Sequence, residues 1–221
     1  LLLLKTKVRM PHMKKHSDIK EIDFNAIADA EKVFDFDLTS GAELSSLMRD
    51  RGIHTFQEAA KWVESLPYRR NRDKKSHTAI LDEQCGTCST KHVFLKRLAY
   101  ENRRPEVRLM LGIFKMDSCN TPAIAPVLKK FKLKYLPEAH NYLRVHGQIL
   151  DFTGLGMNET DLADSLLTER EISPYQNTAY KNGMHRTYLV RWIRKKRLPY
   201  SRLGIWWIRE ECIEALGQEC L

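Results

Sequence analysis

Cys88 sits in the run Gly86-Thr87-Cys88-Ser89-Thr90-Lys91-His92, where a loop gives way to a helical pattern. From Ser89 to about Asn102 the apolar residues Phe94, Leu95, Leu98 and Ala99 recur at helical spacing. The Thr87 hydroxyl can accept from the free amides of the first turn. Cys88 then lies in that turn, where unpaired amides and the helix dipole favour a thiolate over a thiol. The same amides can stabilise an oxyanion formed when sulfur attacks a carbonyl.

Thiol acyl transfer also needs a base to carry the proton and a group to orient that base. Both are offered by Glu138 to Thr153, which reads as a hairpin turning near Gly147. With a loop of even length, residues paired across the hairpin sum to an odd number. His140, Tyr142 and Arg144 then share a face with Ile149, Asp151 and Thr153. Leu143, Val145, Leu150 and Phe152 share the other, more apolar face. His140 is then opposite or diagonal to Asp151, roughly 5–8 Å between backbones and within side-chain reach. A loop of odd length or a bulge would split the pair across the sheet.

These residues need a scaffold. Ile22 to Phe34 has helical spacing; Thr39 or Ser40 can cap a helix bearing Leu44, Leu47 and Met48. Thr55-Phe56-Gln57-Glu58 starts another helix, with Ala59, Trp62, Val63 and Leu66 on one stripe and Pro67 as its stop. Arg69 to Ser76 reads as a charged loop, Glu106 to Met116 as a strand, and Pro122 and Pro126 as breaks. Leu162 to Glu171 reads as a helix and Pro174 to Gly183 as a loop. Two helices follow, one with Tyr188, Leu189, Trp192 and Ile193, the other with Ile205, Ile208, Cys212, Ile213 and Leu216. The expected organisation is a basic arm over 1–20, a core over 21–180, and a helical pair over 181–221 packed on that core.

In this order (Gly86-Thr87-Cys88 opening a helix, His140 with Tyr142 early in a strand, Asp151-Phe152-Thr153 closing the next) the chain resembles the transglutaminase-like superfamily of papain-related cysteine enzymes. The resemblance covers about residues 55 to 155. It implies an α+β, cysteine-proteinase-like core: a central nucleophile-bearing helix packed on an antiparallel sheet. It also implies Cys88, His140 and Asp151 as nucleophile, acid/base and orienter, acting on an amide or ester carbonyl through an acyl-thioester. Family members include proteases, amidases, deglycosylating amidases, cross-linkers and inactive binding domains. Ser89 stands where many members carry an aromatic, and the hairpin is shorter than the family's usual His-to-Asp spacing. Beyond the Cys88 amide, Gln84 is the candidate oxyanion donor; Thr87, His92 and Tyr142 are supporting candidates.

Other readings compete. His92 follows Cys88 by one turn on the same face, which suits support better than catalysis. Cys85-Gly86-Thr87-Cys88 is a CxxC, but a charged stretch precedes it where a redox site needs a buried strand. Cys85, Cys88, His92 and Cys119 make no closed tetrahedral set, so neither metal nor cofactor is expected. The net charge is +9. Together with Arg191, Arg194, Lys195, Lys196, Arg197, Arg202 and Arg209 near Trp192, Trp206 and Trp207, it permits nucleic acid or another acidic partner. The favoured reading packs those tryptophans on the core with the cations in water. No apolar run approaches the roughly 20 residues of a membrane span. An odd count of 5 cysteines with no framework spacing suits a reducing, cytosolic setting. The expected partner is a peptide, amide or other acyl substrate.

Overall fold

The structure is a computed structural model describing residues 34–73, 75–156 and 159–218, in which eight α-helices accompany a four-stranded antiparallel sheet. The basic arm and, apart from Phe34, the helical pattern from Ile22 lie outside the described residues. Helix α1 spans Glu43–Arg49. Its N-cap is Ala42 rather than Thr39 or Ser40, although the Ser40 hydroxyl still accepts from the Ala42 N–H at 3.1 Å. Helix α2, Phe56–Ser65, begins at Thr55 with a capping box: Glu58 N–H donates to the Thr55 hydroxyl, and Thr55 N–H to the Glu58 carboxylate.

Helix α3 (Ala79–Glu83) and helix α4 (Cys88–Glu101) precede strand β1 (Arg108–Met116). The proline-broken segment that follows does not stay irregular. Pro122–Ile124 form a 3₁₀ turn and Ala125–Lys130 form helix α5, with each proline early enough that its missing N–H costs nothing.

Strands β2 (Leu136–Val145) and β3 (Gln148–Leu150) form the expected hairpin. His146 and Gly147 make its two-residue loop with φ of +47° and +90°, a left-handed turn that matches the twist of the strands. Leu143 pairs with Leu150 and Arg144 with Ile149, so the loop is even and the predicted faces are the observed ones.

Helix α6 (Glu159–Ser165) occupies only the first part of the segment expected to be helical through Glu171. Leu166–Glu171 is instead strand β4, paired antiparallel with β1. The open edge of β1 outweighs the local helical spacing, and the charged Thr-Glu-Arg-Glu half suits a sheet edge. The expected loop at Pro174–Gly183 is also corrected: Pro174–Asn177 are 3₁₀, and helix α7 runs Ala179–Lys195 with Gly183 inside it. Helix α8 spans Arg202–Gln218.

The sheet order is β3-β2-β1-β4, and both faces of β1 and β2 are covered. Leu109, Leu111, Ile113, Ala139, Leu143 and Val145 pack with α2 and α4. Met110, Phe114, Met116, Tyr142 and Ile149 pack with Leu189, Trp192 and Ile193 of α7 and Ile205, Ile208 and Cys212 of α8. No helix among the described residues is long and apolar enough to cross a membrane.

The segment after β3 is held by a fully buried lysine. Lys91 Nζ donates to the carbonyls of Leu66 at 2.6 Å, Thr153 at 2.8 Å and Glu64 at 3.2 Å, tying α4 to α2 and to the Asp151 segment. Gly154 follows with φ +73°, and a Cβ there would lie 2.5 Å from the Glu64 carbonyl oxygen. Gly154→Ala is therefore expected to destabilise the fold by about 1–3 kcal/mol. A urea-unfolding midpoint equal to wild type would contradict this.

Candidate functional site

Cys88 is the first residue of α4 and is only 6% exposed. Thr87 holds the N-cap position in extended conformation, and its N–H donates to Thr90 Oγ1 at 3.0 Å. The approach is braced from two sides. Gly86 N–H donates to the Pro67 carbonyl at 3.1 Å, forming a bridge that brings Tyr68 alongside. Thr90 Oγ1 donates to Asn71 Oδ1 at 2.7 Å, while Asn71 Nδ2 holds the Cys85 carbonyl at 2.9 Å.

His140 and Asp151 meet: Nε2 of His140 lies 2.7 Å from Asp151 Oδ2, with both side chains nearly fully buried. In the hairpin register Asp151 falls opposite Tyr142 just beyond the end of β3, so the contact to His140 is the diagonal one. With Nε2 committed to Asp151, Nδ1 is the nitrogen left for the sulfur, and Cys88 and His140 line the same small cavity. The other Asp151 oxygen accepts from Thr153 N–H at 2.9 Å.

His92 does not compete for the sulfur. Phe152 N–H donates to its Nε2 at 2.9 Å, so Nδ1 carries the hydrogen and donates to the Cys88 carbonyl at 2.8 Å. Burial lowers its pKa, which keeps it neutral. His92 thus pins the turn bearing Cys88 to the segment bearing Asp151. Tyr142 stacks on His140 with ring centroids 6.2 Å apart and donates its hydroxyl to Glu169. It backs the imidazole and makes no contact with the sulfur.

Burial opposes ionisation of Cys88, but the charges of Lys181 and His140 and the Asn141 N–H outweigh it and hold the thiol well below its ordinary pKa. Burial likewise opposes a charged His140, and the negative charges of Asp151 and Cys88 overcome it, pushing the imidazole up to about 10. Asp151, despite burial, is held below the usual carboxylate range by His140 and its hydrogen bond. Near neutral pH the arrangement is a thiolate, an imidazolium and a carboxylate in sequence.

Two neighbours of the sulfur escaped the sequence reading. Lys181 Nζ, from the first turns of α7, lies 3.4 Å from Cys88 Sγ, 2.8 Å from Ser89 Oγ and 2.7 Å from Asn141 Oδ1. Tyr68 lines the cavity beside the sulfur as well; burial and the nearby Cys88 charge raise its pKa well above a phenol's. A signal for Lys181 was present. Stepping back by four from Leu189 along the buried face of α7 reaches His185 and then Lys181, both buried.

One N–H of the Gln84 amide is taken: its Nε2 donates to the Leu81 carbonyl at 2.6 Å, and its backbone is left-handed, as the C-cap of α3. Cys85 is buried behind the loop with a free thiol, and Cys88, Cys119 and Cys212 are also free. Among the described residues no group of His, Cys, Asp and Glu could hold a metal.

Helix α8 lines the space beside the sulfur. Beside the sulfur is a cavity of only about 30 Å³, lined by Tyr68, Phe114, Met116, Leu155 and, from α8, Ile213 and Leu216. Arg209 of α8 is bound to buried Glu138, two residues before His140, through both of its oxygens. This cation of the C-terminal pair therefore faces protein rather than water. Trp192 is buried, Trp206 lies under Arg186 at 4.0 Å, and Trp207 is 56% exposed. No protein-family model, curated protein or solved structure matches the chain.

Proposed function

We propose that this chain is a cysteine-dependent hydrolase or acyltransferase of transglutaminase-like type, acting on an amide or ester carbonyl. Cys88 is the nucleophile, His140 the general acid and base, and Asp151 the orienting group. The observation that carries this is that Cys88, at the start of α4, and His140 line one small cavity while His140 Nε2 lies 2.7 Å from Asp151 Oδ2. The α+β chain fold, with a cysteine-bearing helix on an antiparallel sheet, suits a cysteine-proteinase-like core.

The thiolate attacks the carbonyl carbon and forms the C–S bond. The Cys88 amide, free at the helix start, faces the developing oxyanion. Imidazolium Nδ1 passes its proton to the leaving nitrogen or oxygen as that bond breaks. Neutral His140 then takes a proton from water or an amine, which attacks the thioester and releases Cys88 as thiolate. Asp151 keeps Nε2 protonated throughout. A thiol that works in this way belongs in a reducing compartment, which is why a cytoplasmic setting is proposed.

The test is intact-mass detection of an acyl-enzyme with a panel of activated esters and amides. Wild type is expected to gain one acyl group that Cys88→Ala does not gain, and His140→Ala to acylate at least ~100-fold more slowly with the amides, whose leaving nitrogen needs a proton. Equal labelling of Cys88→Ala would sink the reading. A catalytically silent domain of the same type is the second reading, favoured by the roughly 30 Å³ of space beside the sulfur. Absence of acyl-enzyme across the panel, with Cys88 still open to iodoacetamide, would select it.

A further inference from the structure

We infer that Lys181 is a catalytic residue of this site: the fixed cation that holds Cys88 as thiolate whatever the charge on His140. This rests on the proposed acyl-transfer reading, in which only Cys88, His140 and Asp151 were given roles, and adds Lys181 to them. The geometry supports a separate source. Lys181 is 7% exposed, and its three N–H groups have three acceptors: Cys88 Sγ at 3.4 Å, Ser89 Oγ at 2.8 Å and Asn141 Oδ1 at 2.7 Å. Asn141 is itself fixed, its Nδ2 donating to the Met110 carbonyl at 3.0 Å. The ammonium is therefore aimed by two oxygens that carry no charge, and the sulfur is its one anionic acceptor among these contacts.

The groups facing the sulfur are Lys181 from α7, His140 from β2, Tyr68 from the segment after α2, and His92 from α4 itself. Glu138, Arg209, Asp151 and His185 stand behind them. Glu138 is committed to Arg209, and Asp151 to His140. His92 is neutral, and Tyr68, its pKa raised, is a neutral phenol. Only His140 and Lys181 bring positive charge to the sulfur, and only His140 must give its proton away during the reaction. A site with a single cation loses its thiolate when the imidazole is neutral; this one keeps it. Ser89 gains a role in the same stroke: where many family members carry an aromatic, its hydroxyl is one of the two neutral brackets on the ammonium.

The measurement is the pH profile of Cys88 alkylation by iodoacetamide, read by mass spectrometry together with thiolate absorbance near 240 nm. Lys181→Met is expected to move the midpoint upward by about 1–3 pH units. Lys181→Arg should keep the wild-type midpoint. His140→Ala is expected to stay well below the ordinary thiol midpoint of about 8.5, since the lysine remains. In turnover, Lys181→Met should lose at least tenfold in kcat/KM at pH 6 and recover as pH rises, which a merely structural lysine would not do.

An unchanged midpoint in folded Lys181→Met would overturn the assignment. So would an ordinary thiol midpoint in His140→Ala, a result that does not depend on the lysine variant folding. The alkylation profile needs no substrate. A shifted midpoint without any acyl-enzyme in wild type upholds Lys181 and rejects the acyl-transfer reading; acyl-enzyme with an unshifted midpoint does the reverse.

Discussion

Replacing Asp151 with alanine is expected to cost about 3–5 kcal/mol of folding stability and to lower acyl transfer by about 10⁴-fold. Asp151 faces buried His140 at 2.7 Å and accepts from Thr153 N–H at 2.9 Å. Its removal leaves an imidazolium with no carboxylate beside it, or forces the ring neutral and free to turn. Asp151→Asn keeps the shape and should recover part of the stability but little of the rate, because an amide can present its N–H to Nε2 and fix the wrong tautomer. The pH dependence has a definite sign. The folded pKa of Asp151 is depressed, so its stabilisation is complete above about pH 4 and is lost as acid titrates it within the fold. Urea unfolding of wild type and Asp151→Ala at pH 7 and pH 3 measures both. Curves that stay parallel, with the same gap at the two pH values, would contradict the argument.

Cys88→Ala should convert a pH-insensitive pair into a pH-sensitive one. Between about pH 6.5 and 8.5 the unfolded chain carries one proton on this pair, on the thiol, with the histidine neutral. The folded chain also carries one, on His140, with the sulfur ionised. Folding therefore moves a proton from sulfur to imidazole and binds none from solvent, so the pair adds no slope. Without the thiol, folding must take up a proton on His140, which Asp151 still holds charged. A raised folded pKa stabilises fully below the unfolded value and is lost as pH rises. Cys88→Ala should thus lose stability relative to wild type by up to about 1.4 kcal/mol per pH unit above pH 6.5. Unfolding at pH 7 and pH 9 reads the difference, and identical trends in the two proteins would refute the thiolate–imidazolium assignment.

How much of this was legible depended on where the information sits. The helix from Cys88, the Thr55 cap and the hairpin parity are local patterns, and each survived. The pattern placed His140 opposite or diagonal to Asp151, and the two-residue turn at His146 and Gly147 selects the diagonal. Leu166–Glu171 failed because its state is set by the unpaired edge of β1, over 50 residues away in sequence and invisible to a local window. Nothing local to Gln84 shows that its amide bonds the Leu81 carbonyl. Lys181 was lost with its helix: once Pro174 to Gly183 was read as loop, the inward face that continues from Leu189 through His185 was cut short. Buried cations are the residues such reading misses most readily, since charge argues for the surface until its acceptors are known.

The packing of α8 beside the sulfur also bears on chemical survival. An ionised thiol in the open is a ready target for peroxide, and the step beyond sulfenic acid is not easily undone. With Ile213 and Leu216 lining the space beside the sulfur and Arg209 bound to Glu138, little of the thiol meets solvent. Burial of this kind slows oxidants without barring a small alkylating reagent.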